Sequence, residues 1–239
     1  MAAGYDTAEL DAALRALQST VPSIPPPKTF AKTRRRWGLG LMVLALTVPV
    51  LIIVPLRVAV LAYQAYQWAL ALSLLAGMAV ASGSMIFLLS IGQRLVLGRW
   101  HLGRWTRRVT LGLVLAWVGY GLVSLSAEHT KSEAVQAAYH QLHPLLRLAT
   151  STWILADADL VVTDAARSRS DYARMGLPVN ERSLHFPQAT GYVHALDLRT
   201  RGRAEWQNRL VVLYYRSMGF RTLRHVGTAD HLHVSLAVH

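Results

Sequence analysis

Apolar residues are concentrated between positions 37 and 126, where three long runs contain no charged residue. A helix needs about 20 mainly apolar residues to cross the hydrocarbon core of a bilayer. The pattern therefore predicts three transmembrane helices, of which the third is short but close to the lower limit. The three runs are Trp37–Pro55, Trp68–Ile91 and Val109–Leu125.

The sequence on either side of this region has the mixed composition of a water-soluble protein. Before it, leucines at helical spacing predict a short amphipathic helix over 7–19, followed by a proline-rich linker at 21–28. After it, helical and strand-like patterns alternate. We therefore divide the chain into an N-terminal segment, 1–36, a three-span region, 37–126, and a C-terminal domain, 127–239.

The pattern of the C-terminal domain predicts a small α+β fold. One helix begins near Ser132, and Pro144 either ends it or starts a second helix that continues to about Trp153. A further helix is predicted over 205–218, with Gly219 at its C-cap. Residues 167–182 read as a polar loop. The predicted strands are Leu160–Thr163, His194–Leu198, Phe220–Leu223 and His231–Ala237.

The formal charge of +12 is placed mainly beside the apolar runs. Basic residues precede the first run at 32–36 and fill the segment between the second and third runs at 94–108, whereas the first connecting loop has only Arg57. The positive-inside rule then places the N-terminus and the second loop in the cytoplasm and the C-terminal domain outside. This placement indicates a lipid bilayer as the partner and argues against nucleic acid.

Four polar residues in the C-terminal domain lie beside otherwise apolar strands. They are His185, Asp197, Asp230 and His233. Two imidazoles and one carboxylate form a good zinc-binding set that leaves a fourth position for water, and a second carboxylate could take that water's proton. The absence of cysteine excludes thiolate ligands.

Strand alternation helps to choose among the histidines. His194 and Asp197 point to opposite faces of one strand, which favours His185 as the partner of Asp197. His231 and His233 share a face, so alternation does not separate them. Asp230 lies on the face opposite His233 unless it precedes the strand in a turn, which we expect.

These residues stand in a sequence order that resembles the LAS metallopeptidases, the group of D-alanyl-D-alanine peptidases and L-alanyl-D-glutamate endolysins. The matching segments cover most of the C-terminal domain. They are LVVTDAARS at 160–168, SLH at 183–185, TGYVHALDL at 190–198 and DHLHVSL at 230–236.

The resemblance implies an antiparallel sheet and a Zn²⁺ ion held by His185, Asp197 and His233. It further implies that Asp230 is the catalytic base, that Arg167 binds and polarises the substrate, and that Ser183 contacts the substrate. We therefore expect a plasma-membrane zinc peptidase that hydrolyses stem or cross-link peptides of peptidoglycan outside the cell. The spacing between His185 and Asp197 is longer than in the family, so an inactive module that binds cell wall or a partner stays open.

Overall fold

The structure of the chain is a computed structural model, which describes residues 7–20, 47, 50–97, 103–123, 125, 127–227 and 230–237. The chain divides into two compact units, Met1–Val43 and Leu44–His239. The described part of the first unit is helix α1, Thr7–Thr20, which confirms the predicted amphipathic helix. The proline-rich linker and most of the first apolar run lie outside the described residues.

The second unit is rich in helices and contains one antiparallel four-stranded sheet. This confirms the α+β class predicted for the C-terminal domain. The helices are α2 Val50–Gln64, α3 Leu70–Leu97, α4 Arg104–Val123, a 3₁₀ turn Ala127–His129, α5 Glu133–Tyr139, α6 Pro144–Ile154, α7 Arg169–Arg174 and α8 Glu205–Met218. The strands are β1 Val162–Asp164, β2 Ala195–Arg199, β3 Arg221–His225 and β4 His231–Ser235.

The helix ends follow from local chemistry. Pro144 starts α6 rather than merely ending α5, and the ring of His143 accepts the Leu145 N–H at the N-terminus of α6. Gly219 ends α8 with φ of +97°, a conformation that glycine adopts without strain. Helix α7 lies inside the segment predicted as a polar loop, so that prediction was wrong there. The missed signal was a capping box between Ser168 and Asp171.

The strand order of the sheet is β1-β2-β4-β3, and every neighbouring pair is antiparallel. Asp197 lies opposite His233, and Leu198 lies opposite Leu232. Because side chains alternate along a strand, one face carries the buried leucines and the other carries the polar residues. The apolar face joins α6 and α8 in the hydrophobic core, and the polar face is left for the candidate site.

Among the described residues, one helix is long and apolar enough to cross a membrane, over Leu70–Arg94. The expectation of three such helices is therefore not met. Helix α2 is a shorter apolar helix that continues through Pro55 and includes Arg57, which we had placed in a loop. Helix α4 has an uncharged part, 109–123, that extends roughly 22 Å at 1.5 Å per residue, short of a hydrocarbon core of about 30 Å.

The apolar helices share one hydrophobic core with the C-terminal domain. Leu56 and Val60 of α2 and Val118 of α4 are buried in the same cluster as the leucines of the sheet. On α4, the Trp117 indole N–H donates to the Thr152 hydroxyl of α6 at 2.8 Å. Helix α6 is buried on nearly all sides because it lies between α4 and the domain. One side of α4 is thus covered by protein rather than by lipid.

Small residues set the closest approaches between these helices. A Cβ atom at Gly77 of α3 would lie 2.8 Å from the Pro55 carbonyl oxygen of α2, and one at Gly121 of α4 would lie 3.0 Å from the Ser151 hydroxyl of α6. A Cβ atom at Gly83 or Gly119 would meet nothing within 4 Å. Gly77 therefore serves the packing of α3 against α2, and Gly121 serves the packing of α4 against α6.

Two glycines of α4 form a matched pair for a stability test. Gly119→Ala should raise the free energy of unfolding by about 0.5–1 kcal/mol, because alanine restricts the unfolded chain and adds no clash. Gly121→Ala should lower it by about 1–3 kcal/mol, since the new methyl group would overlap Leu148 and Ser151. Thermal unfolding in detergent would measure both. Equal effects would contradict the packing of α4 on α6.

Candidate metal centre

Three side chains from distant parts of the sequence meet on the polar face of the sheet. The distance from His233 Nδ1 to Asp197 Oδ1 is 2.9 Å. His185 Nε2 lies 3.2 Å from His233 Nδ1 and 3.3 Å from Asp197 Oδ1. The expected convergence of these residues is therefore present, and the group can bind a metal ion.

The size of this triangle matches a tetrahedral ion. Two bonds of about 2.0–2.1 Å that meet at the tetrahedral angle place their donor atoms about 3.3 Å apart. The three observed separations, 2.9, 3.2 and 3.3 Å, are close to that value. A small cation can thus contact all three atoms with only small side-chain adjustments.

The loop between β1 and β2 presents His185 to the strands. The Arg167 N–H donates to the His185 carbonyl at 2.8 Å, and the His194 N–H donates to the Leu184 carbonyl at 2.9 Å. The residues that lengthen the spacing to Asp197 form a turn closed by Gln188, whose side-chain amide donates to the carbonyls of Ser183 and Phe186. The longer spacing therefore does not displace His185 from Asp197.

A backbone contact assigns the tautomer of His185. Its Nδ1 lies 2.6 Å from the Ala165 carbonyl oxygen, and a carbonyl can only accept, so Nδ1 carries the proton. In neutral His185 the Nε2 lone pair then faces Asp197 and His233. Metal-binding histidines are commonly oriented by such a hydrogen bond on the second ring nitrogen.

The electrostatics of the triangle favour a positive charge at its centre. If His233 Nδ1–H donates to Asp197 Oδ1, the lone pair of neutral His185 still faces a carboxylate oxygen at 3.3 Å with no proton between them. That repulsion is removed either by a second proton on His185 or by a cation bound to all three atoms.

Asp197 is almost completely buried, with 4% of its surface exposed. Burial by itself would raise the pKa of this carboxyl. Its contacts with the imidazoles of His185 and His233 and the nearby charges of His185 and His231 outweigh burial and hold the pKa well below its ordinary value. Asp197 is therefore ionised at neutral pH, as a metal ligand must be.

Arg167 lies beside the Asp197 carboxylate and also contacts the carboxylate of Asp164. Its Nε donates to Asp164 Oδ2 at 2.6 Å, and its Nη2 lies 3.5 Å from Asp197 Oδ2. Arg167 thus reaches the site as predicted, with Asp164 as an anchor that the sequence reasoning missed. The available signal was the spacing of three residues between Asp164 and Arg167.

Ser183 belongs to the His185 loop and contacts backbone rather than the three ligands. Its hydroxyl accepts the His185 N–H at 3.3 Å, and its carbonyl accepts from Gln188 at 3.0 Å. These bonds shape the turn that carries His185. The substrate contact predicted for Ser183 stays a prediction.

Asp230 is not brought into the triangle. It precedes β4, as expected, but its carboxylate accepts from the Thr200 hydroxyl at 2.6 Å and from Arg224 at 2.8 and 3.0 Å. Arg224 pairs with Leu232 in the sheet register, which puts this contact on the face opposite His233. The Arg224 and Thr200 hydrogen bonds lower the pKa of Asp230 to about 2.

The structure separates the other histidines from the ligands. His233 is in the triangle, whereas His231 Nε2 lies 3.7 Å from the second oxygen of Asp197, and its ring stacks on that of His225. The structure therefore places His233 rather than His231 in the triangle, a choice that strand alternation had left open. His194 is buried and contacts the Thr190 hydroxyl at 2.8 Å, apart from the three ligands as expected.

No family model, no curated protein and no solved structure matches this chain.

The centre should bind one divalent ion per chain. His185→Ala and His233→Ala should each reduce the bound metal to nearly zero, because two ligands hold a divalent ion far less tightly than three. His231→Ala is the matched control on the same strand and should retain the metal. Elemental analysis after dialysis against Zn²⁺ would measure all three. If His231→Ala lost the metal while His233→Ala retained it, His231 rather than His233 would be the ligand.

Proposed function

We propose that the chain is a membrane-anchored zinc peptidase that hydrolyses peptides of the bacterial cell wall. The observation that supports this proposal is the triangle of His185 Nε2, Asp197 Oδ1 and His233 Nδ1, with sides of 2.9 to 3.3 Å. The cell-wall substrate comes from the resemblance to LAS metallopeptidases.

Zinc is the ion that these donors suit best. Two imidazoles and one carboxylate without thiolate make a typical three-ligand catalytic zinc set. The side chain of His233 is 23% exposed, whereas those of the other two ligands are nearly closed to solvent. The open side therefore lies near His233, where water and substrate can enter. Zinc, when bound there, supplies an acidic water and a Lewis acid for the substrate carbonyl.

Arg167 is the residue of this chain best placed to act on the substrate. Its guanidinium is always charged, lies beside Asp197 and is about one quarter exposed. It can donate to a carbonyl oxygen on which negative charge develops, while Asp164 holds its position. The reaction is amide plus water to carboxylate plus amine, so one proton must pass from water to the leaving nitrogen.

Asp230 is the base that the resemblance implies, yet in this arrangement it is bound by Arg224, and a group with a pKa of about 2 accepts protons poorly. This observation favours a second candidate: a metal-containing module that binds cell wall without hydrolysing it.

Hydrolysis of purified peptidoglycan separates the two candidates. The zinc-loaded chain should release peptides, His185→Ala should abolish release, and His140→Ala, at an exposed position, should leave it unchanged. If Asp230 is the base, Asp230→Asn should lower the rate by about 10²–10⁴-fold with zinc content unchanged. Wall binding without release, in a sample with one zinc per chain, would instead establish the binding module.

We further propose that α3 crosses the plasma membrane with Arg94 at the cytoplasmic end and that α4 returns the chain to the outer side. Arg104, Arg107 and Arg108 begin α4 and can extend their charged groups to the inner interface, which helps a short helix to span. The domain 127–239 is then outside, where the cell wall is, and a further crossing by the first apolar run would place the N-terminus in the cytoplasm.

The absence of cysteine allows a direct test of this topology. A single cysteine at exposed Arg201 should react with a membrane-impermeant maleimide in intact cells, whereas one at exposed Arg15 of α1 should react only after lysis. Protection of the Arg201→Cys variant in intact cells would place the domain inside and would refute a cell-wall substrate.

A further inference from the structure

Two cavities flank the candidate metal centre on opposite sides of the strands that carry its ligands. Asp197 is on β2 and His233 on β4, the two central strands of the order β1-β2-β4-β3. One cavity lies beyond β2, on the side of β1, and the other lies beyond β4, on the side of β3. The centre is therefore between two spaces rather than at the closed end of one.

The cavity on the β1 side has a volume of about 840 Å³, within the range of ligand-binding pockets. Arg167 and Ala165 line it, and both also touch the centre, Arg167 through Asp197 and Ala165 through His185. Five small side chains in the wall leave room for a peptide backbone. They are Ala134, Ala137, Ala138, Ala165 and Ala166.

The cavity on the β3 side has a volume of about 510 Å³ and includes His233 itself. Leu223, which lies opposite His233 in the sheet, is 57% exposed there. Strand β3 is the last strand of the described sheet, so no described strand lies along its outer edge. The β3 side of this cavity is therefore not closed by a strand of the described chain.

We propose that the centre cleaves internal bonds of an extended peptide that occupies both cavities, so that the activity is of the endopeptidase rather than the carboxypeptidase type. This inference rests on the proposed function and specifies its substrate. The distance from β1 to β3 is three strand spacings of about 4.8 Å, roughly 14 Å, which an extended chain covers with about four residues. An enzyme that removes one terminal residue needs a closed space on one side of the metal, and neither cavity is closed.

The charges in the two cavities specify the substrate further. In the first cavity, ion pairs within the described chain occupy Arg167 with Asp164, Arg169 with Glu181, and Arg174 with Asp171. Lys131 is then the basic residue of that lining to which these ion pairs give no carboxylate partner. In the second cavity, Arg216 and Arg221 line the wall without a carboxylate among the described lining residues. A peptide with a carboxylate on each side of the cleaved bond complements this arrangement.

Binding of cross-linked stem peptides would test the inference apart from catalysis. The probes are the dimeric stem peptide from digested peptidoglycan and its two monomeric halves, measured on the full chain in detergent with EDTA to prevent turnover. Lys131→Glu and Arg221→Glu should each weaken dimer binding by roughly fivefold, and the double variant by roughly 25-fold, because well-separated charges act independently. Each half should respond to only one of the two substitutions.

Arg201→Glu is the matched control, since it makes the same charge change in an exposed turn that neither cavity includes. It should leave all affinities unchanged. The inference would be overturned if neither Lys131→Glu nor Arg221→Glu weakened dimer binding. It would also be overturned if the same substitution weakened binding of both monomeric halves.

Mass spectrometry of the zinc-loaded reaction gives the second readout. The dimer should be cut internally, and amidation of its terminal carboxylates should change the rate by less than about threefold. Release of single terminal residues that amidation stops would overturn the inference while upholding the peptidase. The expected binding pattern with no cleavage at all would refute the peptidase but keep the two-sided site.

Discussion

The contact between Asp197 and His233 across β2 and β4 is the constraint on which the candidate site depends. It exists only in one register of the sheet. A slip of one residue would turn Asp197 toward the hydrophobic core and bring Leu196 or Leu198 to the polar face. The burial of those leucines therefore also fixes the geometry of the metal ligands. Core packing and ligand placement are two results of the same strand alternation.

The burial of Asp197 explains the composition of its surroundings. A carboxylate removed from water is costly unless positive or hydrogen-bonding groups compensate it. Here His185, His233 and Arg167 surround it, and the Ala165 carbonyl orients His185 so that its second nitrogen faces the carboxylate. A bound divalent ion satisfies all three donor atoms at once, which is why we interpret the triangle as a metal site.

The apolar helices also bear on function because they are not a separate anchor. Leu56, Val60 and Val118 pack into the core of the domain, and α6 lies between α4 and the rest of the domain. Such packing holds the C-terminal domain directly against the apolar helices.

The sequence by itself determined the features that depend on local pattern. Strand alternation favoured His185 as the partner of Asp197, and the resemblance in motif order implied His233, which alternation had left open beside His231. Turn chemistry identified Gly219 as the end of α8. Other features required the folded chain, because they depend on residues far apart in sequence or on competition between partners. Arg224 removes Asp230 from the centre, Asp164 shares Arg167, and α6 covers a helix that reads as a membrane span. The apolar composition of α4 indicates that its side chains avoid water, and the tertiary structure shows that α6 covers one side of the helix.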